Sequence, residues 1–325
     1  MIKRSAFLPR LLAVLVLALG LALPVHAGTP AEDAEKYRLD MAEGVALLRA
    51  GHSDRSIAKF KSALKVDPES AEAYYWIALA YSDLTNYPRA AANARDATIY
   101  DDKLAEAWLL WGQVLLYQKS YSEARDKLEM ASRLAPENPL VQYNLGRVYY
   151  HGFRDPGSAL PRFRAVWQRS QSLRREGAES AAMVTNARLY MGLCEFDRQN
   201  WDIAITAFYD VLAEEPLNFD AALRMALAFR HSGRPRECEQ ILTNMARKIS
   251  PDSLAERQKL AEVNLQLADL YLKVPVLKNQ LFCLTYLKGF VALVGDGTHP
   301  ALEAAREYIA LYDFADSSPG EDGQR

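Results

Sequence analysis

The sequence predicts an all-α solenoid of helix-turn-helix repeats closed by a C-terminal capping helix. Three observations carry that prediction. Two series of small residues advance through the chain with a shared period of 34. Apolar residues recur at three- to four-residue spacing between them. Pro, Asn and Gly punctuate the intervening segments. Composition agrees: the 325 residues are 50% hydrophobic and 25% charged, with 16 Gly and 15 Pro. That balance excludes a collagen, a disordered tail protein and a disulfide-rich miniature fold. Length alone, at ~100–200 residues per domain, suggests two domains. A repeat array replaces that with one continuous core whose contacts run only between neighbours.

The chain opens with an address. Lys3, Arg4 and Arg10 precede the apolar run Leu11–Val25, broken at Pro24 and followed by Val25-His26-Ala27. This is the layout of a secretory signal peptide cut after Ala27. The run falls short of the ~20 residues of a spanning helix, although an uncleaved anchor is the alternative. Cleavage removes three basic residues and no acid, so the formal net charge of −2 becomes −5. The expected location is the bacterial periplasm, and nucleic acid is not an expected partner. Residues 28–36 read as a linker.

The first small-residue series is Gly44, Ala78, Gly112, Gly146, Gly192 and Ala226, with steps of 34 except one of 46. The second is Ser56, Ala90, Ala124, Ala159, Ala204 and Cys238, with steps of 34, 34, 35, 45 and 34. Repeats are expected at 37–70, 71–104, 105–138, 139–184, 185–218 and 219–252. A degenerate seventh at 253–293 has an irregular second helix. In the third repeat Trp108, Trp111, Gly112 and Leu115 share one helical stripe. The turn is Gln118-Lys119-Ser120, and Ser120 with Glu123 can form a capping box. Ala124, Leu128 and Ala131 face inward on the second helix, and Pro136 stops it. Other starts are marked by Pro88, by Asn200 as a cap, and by Ser158 capping a helix with Pro161 in its first turn. Residues 294–314 form a cap with Leu302, Ala305, Ile309 and Tyr312 inward, and 315–325 a disordered tail.

These residues resemble the tetratricopeptide repeat. The pattern is carried by Tyr74, Ile77, Ala78, Tyr81, Ala90 and Ala97; by Trp108, Trp111, Gly112, Ala124, Ala131 and Pro136; by Gly192, Trp201, Ala204, Phe208 and Pro216; and by Gly44, Gly51, Phe60, Ala63 and Pro68. It departs at Asp102, which replaces the stop Pro, at Asp40, where an aromatic is usual, and in the lengthened fourth repeat. The resemblance implies a right-handed superhelical solenoid whose first helices line a concave groove.

No GxSxG, HExxH, Walker loop or strand-borne GxGxxG is present. His52, His151, His231 and His299 are dispersed at turns, so neither a metal site nor a cofactor is expected, and the chain is not read as an enzyme. Cys194, Cys238 and Cys283 read as packing residues, with a Cys238–Cys283 bridge possible.

Counting from the small residue of each repeat gives the groove stripe. Its candidate partner contacts are Tyr75, Trp76, Tyr117, Tyr143, Asn144, Arg147, Tyr150, Tyr190, Phe196, Arg224 and Arg230. Tyr, Trp and Arg dominate binding hot spots. The stripe lacks the Lys–Asn pair with which some relatives clamp a terminal carboxylate. The stretch from Arg147 to Arg175 carries seven Arg against one acid, Asp155, and Arg154, Arg162, Arg164, Arg169, Arg174 and Arg175 form a candidate anionic docking belt. The expected function is a non-catalytic exported scaffold that binds a protein or peptide segment in envelope assembly or secretion. The alternative is a carbohydrate-handling module of an exopolysaccharide export system, for which the anionic ligand is a polysaccharide.

Overall fold

A computed structural model describes residues 29–295 and 297–316. The signal segment at 1–27 lies outside the described residues, as do 317–325 of the expected tail. Among the described residues all regular structure is helical, and no helix is long and apolar enough to cross a membrane. The chain divides into two compact bodies with the boundary between Gln118 and Lys119. One continuous core was expected. In a stack whose contacts are all between neighbours, a turn between two helices is where such a chain divides.

The first body holds α1 (Pro30–Arg49), α2 (Ser53–Val66), α3 (Ala71–Asp83), α4 (Tyr87–Tyr100) and α5 (Ala105–Tyr117). Its core is built on Phe60, Ile77, Ala78 and Val114. The expected linker at 28–36 is instead the start of α1. Thr29 and Glu32 form a reciprocal capping box and Pro30 stands at the first helical position, so the helix begins there.

The second body begins with α6 (Tyr121–Leu134) and α7 (Pro139–Arg147), which runs into a π-helical turn, Val148–Gly152. It continues through α8 (Pro156–Gln168), α9 (Ser170–Glu176), α10 (Ala178–Asp197) and α11 (Trp201–Glu214). Then come α12 (Phe219–His231), α13 (Pro235–Lys248), α14 (Leu254–Lys273), α15 (Gln280–Val294) and α16 (Leu302–Asp316). The seventh repeat is therefore two regular helices, with Leu267, Leu270 and Phe290 fully buried. The step of 46 is absorbed by α9 and by the first turns of α10, so the fifth repeat's first helix starts before residue 185.

Each of the first six repeats reverses direction through one residue in the left-handed region: Gly51, Thr85, Lys119, Arg154, Gln199 and Gly233. Their spacing is that of the second small-residue series. Left-handed residues end helices by satisfying the last carbonyls. Between the two helices of a repeat, Gly meets Phe. A Cβ on Gly44 would lie 2.5 Å from Phe60, one on Gly146 2.7 Å from Phe163, and one on Gly192 2.6 Å from Phe208. The phenyl rings therefore occupy space that only Gly leaves open.

Three local expectations are corrected. Ser120 makes no side-chain cap bond, so no box forms with Glu123. Asn200 occupies the cap position, but its amide donates to Glu195 at 2.7 Å instead. Asp155, not Ser158, caps α8; it accepts from the Ser158 N–H at 3.0 Å, so Pro161 lies inside the helix. The three cysteines are free and buried, with no Cys238–Cys283 bridge. Burial pushes the thiols of Cys194 and Cys238 up to about 12, so both stay protonated and unreactive.

Candidate partner-binding surface

The fourth repeat builds the site in the second body. From Gly112 to the cap Ser120 is eight residues, as in the other repeats, but from Gly146 to the cap Asp155 is nine. The π-helical turn takes up the additional residue, which accounts for the step of 35. Such turns are frequent at functional sites. Here it carries Tyr150 and His151 to α10. The backbone N–H of Asp155 then reaches the Tyr149 carbonyl at 3.0 Å, closing the widened turn. Gly152 fits because a Cβ would meet Tyr121 at 2.4 Å.

Around this turn an aromatic cluster assembles. Phe163, seated on Gly146, stacks on Tyr190 with centroids 4.8 Å apart. Tyr143 meets Tyr190 edge-on at 6.2 Å, and Tyr150 meets it at 5.6 Å. His151 Nε2 hydrogen-bonds the Tyr190 hydroxyl at 2.9 Å. His151 is thus part of the cluster, at its exposed edge. Arg147 lies over the Tyr143 ring at 5.8 Å, and its positive charge acts on the Tyr190 hydroxyl. The charge of Asp197 acts on the Tyr150 hydroxyl, and Arg224 sits over Phe196 at 5.6 Å. Phe196 leads on to Trp201 and His231, which stack at 4.9 Å.

Electrostatics follow from this packing. Burial raises the phenols of Tyr150 and Tyr190, with Asp197 adding to the first and Arg147 opposing the second. Both are neutral hydroxyl donors and acceptors at pH 7. Burial, then the positive charges of Arg147 and Arg154, lowers the His151 imidazole below its ordinary value. The cluster therefore presents half-buried rings with a neutral His and two guanidinium groups.

Of the groove residues expected from sequence, Tyr143, Arg147, Tyr150, Tyr190, Phe196 and Arg224 come together. Asn144 does not reach the surface. It is 2% exposed, and its amide donates to the Leu140 carbonyl at 2.8 Å. Arg230 is held by Asp269 at 2.6 Å. In the first body Tyr75 and Trp76 meet edge-on at 5.3 Å, and Trp76 packs on Phe60. Tyr117 stacks on Tyr87 at 5.5 Å. His151, Asp197, Trp201 and His231 belong to the cluster but were missed; only the step of 35 pointed to the first.

The Arg belt separates. Arg174 is held in a two-point pair with Glu214, at 2.7 and 2.9 Å. Arg147 belongs to the aromatic cluster. Arg154 is the left-handed turn residue. Arg164 and Arg175 are exposed. Arg162 and Arg169 line a separate cavity, with Gln142 of α7 in its wall. Among the described residues no three His, Cys, Asp or Glu are grouped to hold a metal ion.

Paired helices, the Gly–Phe contacts and the turn spacing define a helical-repeat protein. The chain matches the tetratricopeptide repeat family at residues 41–102, 77–139, 109–170 and 191–237, more than half its length, and belongs to it. It is 27% identical over 150 residues to the type IV pilus assembly protein PilF of Pseudomonas aeruginosa, covering 46% of this chain and 59% of that protein. The match therefore spans less than two thirds of that relative. Among solved structures, YrrB, described as a TPR protein with an unusual peptide-binding site, is 26% identical. It superposes with a TM-score of 0.51 over 61% of this chain and 96% of its own. A TPR repeat-containing protein from Cytophaga hutchinsonii, 14% identical, shares the fold with a TM-score of 0.60 over 82% of this chain and 98% of its own.

Proposed function

We propose that this chain is a non-catalytic exported scaffold that captures a protein or peptide segment during cell-envelope assembly or secretion. The observation that carries the reading is the cluster of Tyr143, Tyr150, Tyr190 and Phe196 flanked by Arg147 and Arg224. Half-buried aromatics supply contact area at low entropic cost, and Arg fixes the orientation of an acidic or carbonyl-bearing segment. The likenesses to a pilus assembly protein and to a peptide-binding TPR protein support the same direction. The apolar first segment supports export, with cleavage after Ala27.

The test is capture from envelope extract by the immobilised chain, with bound proteins identified by mass spectrometry. A specific protein should be retained by wild type and lost by a Tyr150→Ala/Arg224→Gln variant of unchanged circular dichroism. A retained partner list identical for both, or retention of polysaccharide in place of protein, contradicts the reading.

A further inference from the structure

We infer that the second body carries a separate site for a small oxyanion, a carboxylate or phosphate, anchored by Arg162. This site lies on a different face of α7 from the aromatic cluster and does not depend on the proposed function.

The site is a cavity of about 650 Å³. That lies within the ~300–1,000 Å³ typical of small-molecule pockets. Pro136, Pro139, Pro161 and Ala165 supply its apolar walls, and the proline rings limit backbone freedom there. Its polar lining is a cation supported from behind. Gln142 is 8% exposed. Its amide nitrogen donates to the Pro136 carbonyl at 3.1 Å and to Ser132 Oγ at 3.2 Å. Those two bonds fix which way the amide points. Its oxygen must then face Arg162, whose Nη1 donates to it at 3.0 Å. One guanidinium nitrogen is thereby pinned by a neutral acceptor, and the remaining N–H groups keep the fork geometry that suits carboxylate or phosphate.

The contrast with other arginines gives this weight. Arg174, Arg188, Arg230 and Arg234 each meet a carboxylate, whereas Arg162 meets none among the described residues. A buried glutamine whose two donors are both spent on orienting its oxygen toward an arginine that meets no carboxylate costs stability, unless an anion completes the site. Arg169, seven residues on, donates to the Glu137 carbonyl and borders the same cavity. It also borders a neighbouring cavity that holds Glu176 and Glu179, so Arg162 is the anchor and Arg169 the secondary cation. Glu137, the acid at the cavity's rim, is solvent-exposed. Tyr149, also in the wall, is engaged by Glu129 at 3.0 Å.

The experiment is calorimetric titration of the full chain with inorganic phosphate and, separately, succinate, at matched ionic strength. At least one should bind saturably with one-to-one stoichiometry. Arg162→Gln should weaken it about tenfold or more, and Arg162→Lys, which keeps the charge but not the fork, should fall between. Arg164→Gln, an equal charge change at an exposed position of α8, should leave binding unchanged. Phosphate alone binding assigns a phosphate ligand, and succinate alone a carboxylate. No saturable binding of either, or an equal loss in Arg164→Gln, overturns the inference.

Discussion

At the scale of single residues, the fold depends on a few side chains that must be absent. Gly192 lies in van der Waals conflict with anything larger, because Phe208 is fully buried against it and has no direction in which to retreat. Gly192→Ala should therefore destabilise the chain by about 1–3 kcal/mol, although Ala is the better helix former. Equilibrium urea unfolding measures this; an unchanged or raised midpoint would refute the contact. His151 supplies a second residue-scale prediction. Its folded-state pKa lies below its unfolded value, so the unfolded chain binds the proton more readily. Its contribution is present above the ordinary imidazole value and lost as pH falls through the lowered one. An NMR titration should place His151 below its unfolded-state value, and Arg147→Gln should move it upward. A value at or above the ordinary one contradicts the cluster geometry.

At the scale of elements, the connection between the helices of a repeat is one conformation filled by different residues. Gly51 and Gly233 adopt it without cost, but Thr85 adopts it with a φ of 55°, where a β-branched side chain is strained. Thr85→Gly should stabilise the first body and Gly51→Ala destabilise it, each by about 1 kcal/mol. Thermal melts of the two variants should shift in opposite directions; a shared direction would mean the turns are not equivalent. This is also where the sequence was most legible. The two small-residue series located the repeats because the period reflects packing between neighbours, and it reached as far as the 35-residue step. What that step became was not legible. One additional residue can lengthen a loop or widen a helix, and only the packing of Gly152 on Tyr121 selects the π-helical turn. The α1 start was missed because Thr29 and Glu32 stand before the apolar periodicity begins. Arg174 and Arg230 were read as available because their partners, Glu214 and Asp269, lie 40 and 39 residues away. Ion pairs at that separation leave no local pattern.

At the scale of the whole molecule, the described chain is two bodies, each with its own core, and the proposed function rests chiefly on the second. There the same repeat exposes two chemically different faces. One side of α7 contributes Tyr143, Arg147 and, through the π-helical turn, Tyr150. A different side contributes Gln142 and, through the same turn, Tyr149. The central claim is that the aromatic cluster is a binding surface and not merely packing. Arg224 separates these alternatives, since it is exposed and its loss removes charge at the cluster without opening the core. The most direct measurement is the affinity of the captured partner for wild type and for Arg224→Gln, compared at two salt concentrations. The account predicts weaker binding in the variant, by about 1–3 kcal/mol, with a shallower salt dependence and an unchanged melting temperature. Equal affinity and equal salt dependence in both proteins would contradict it.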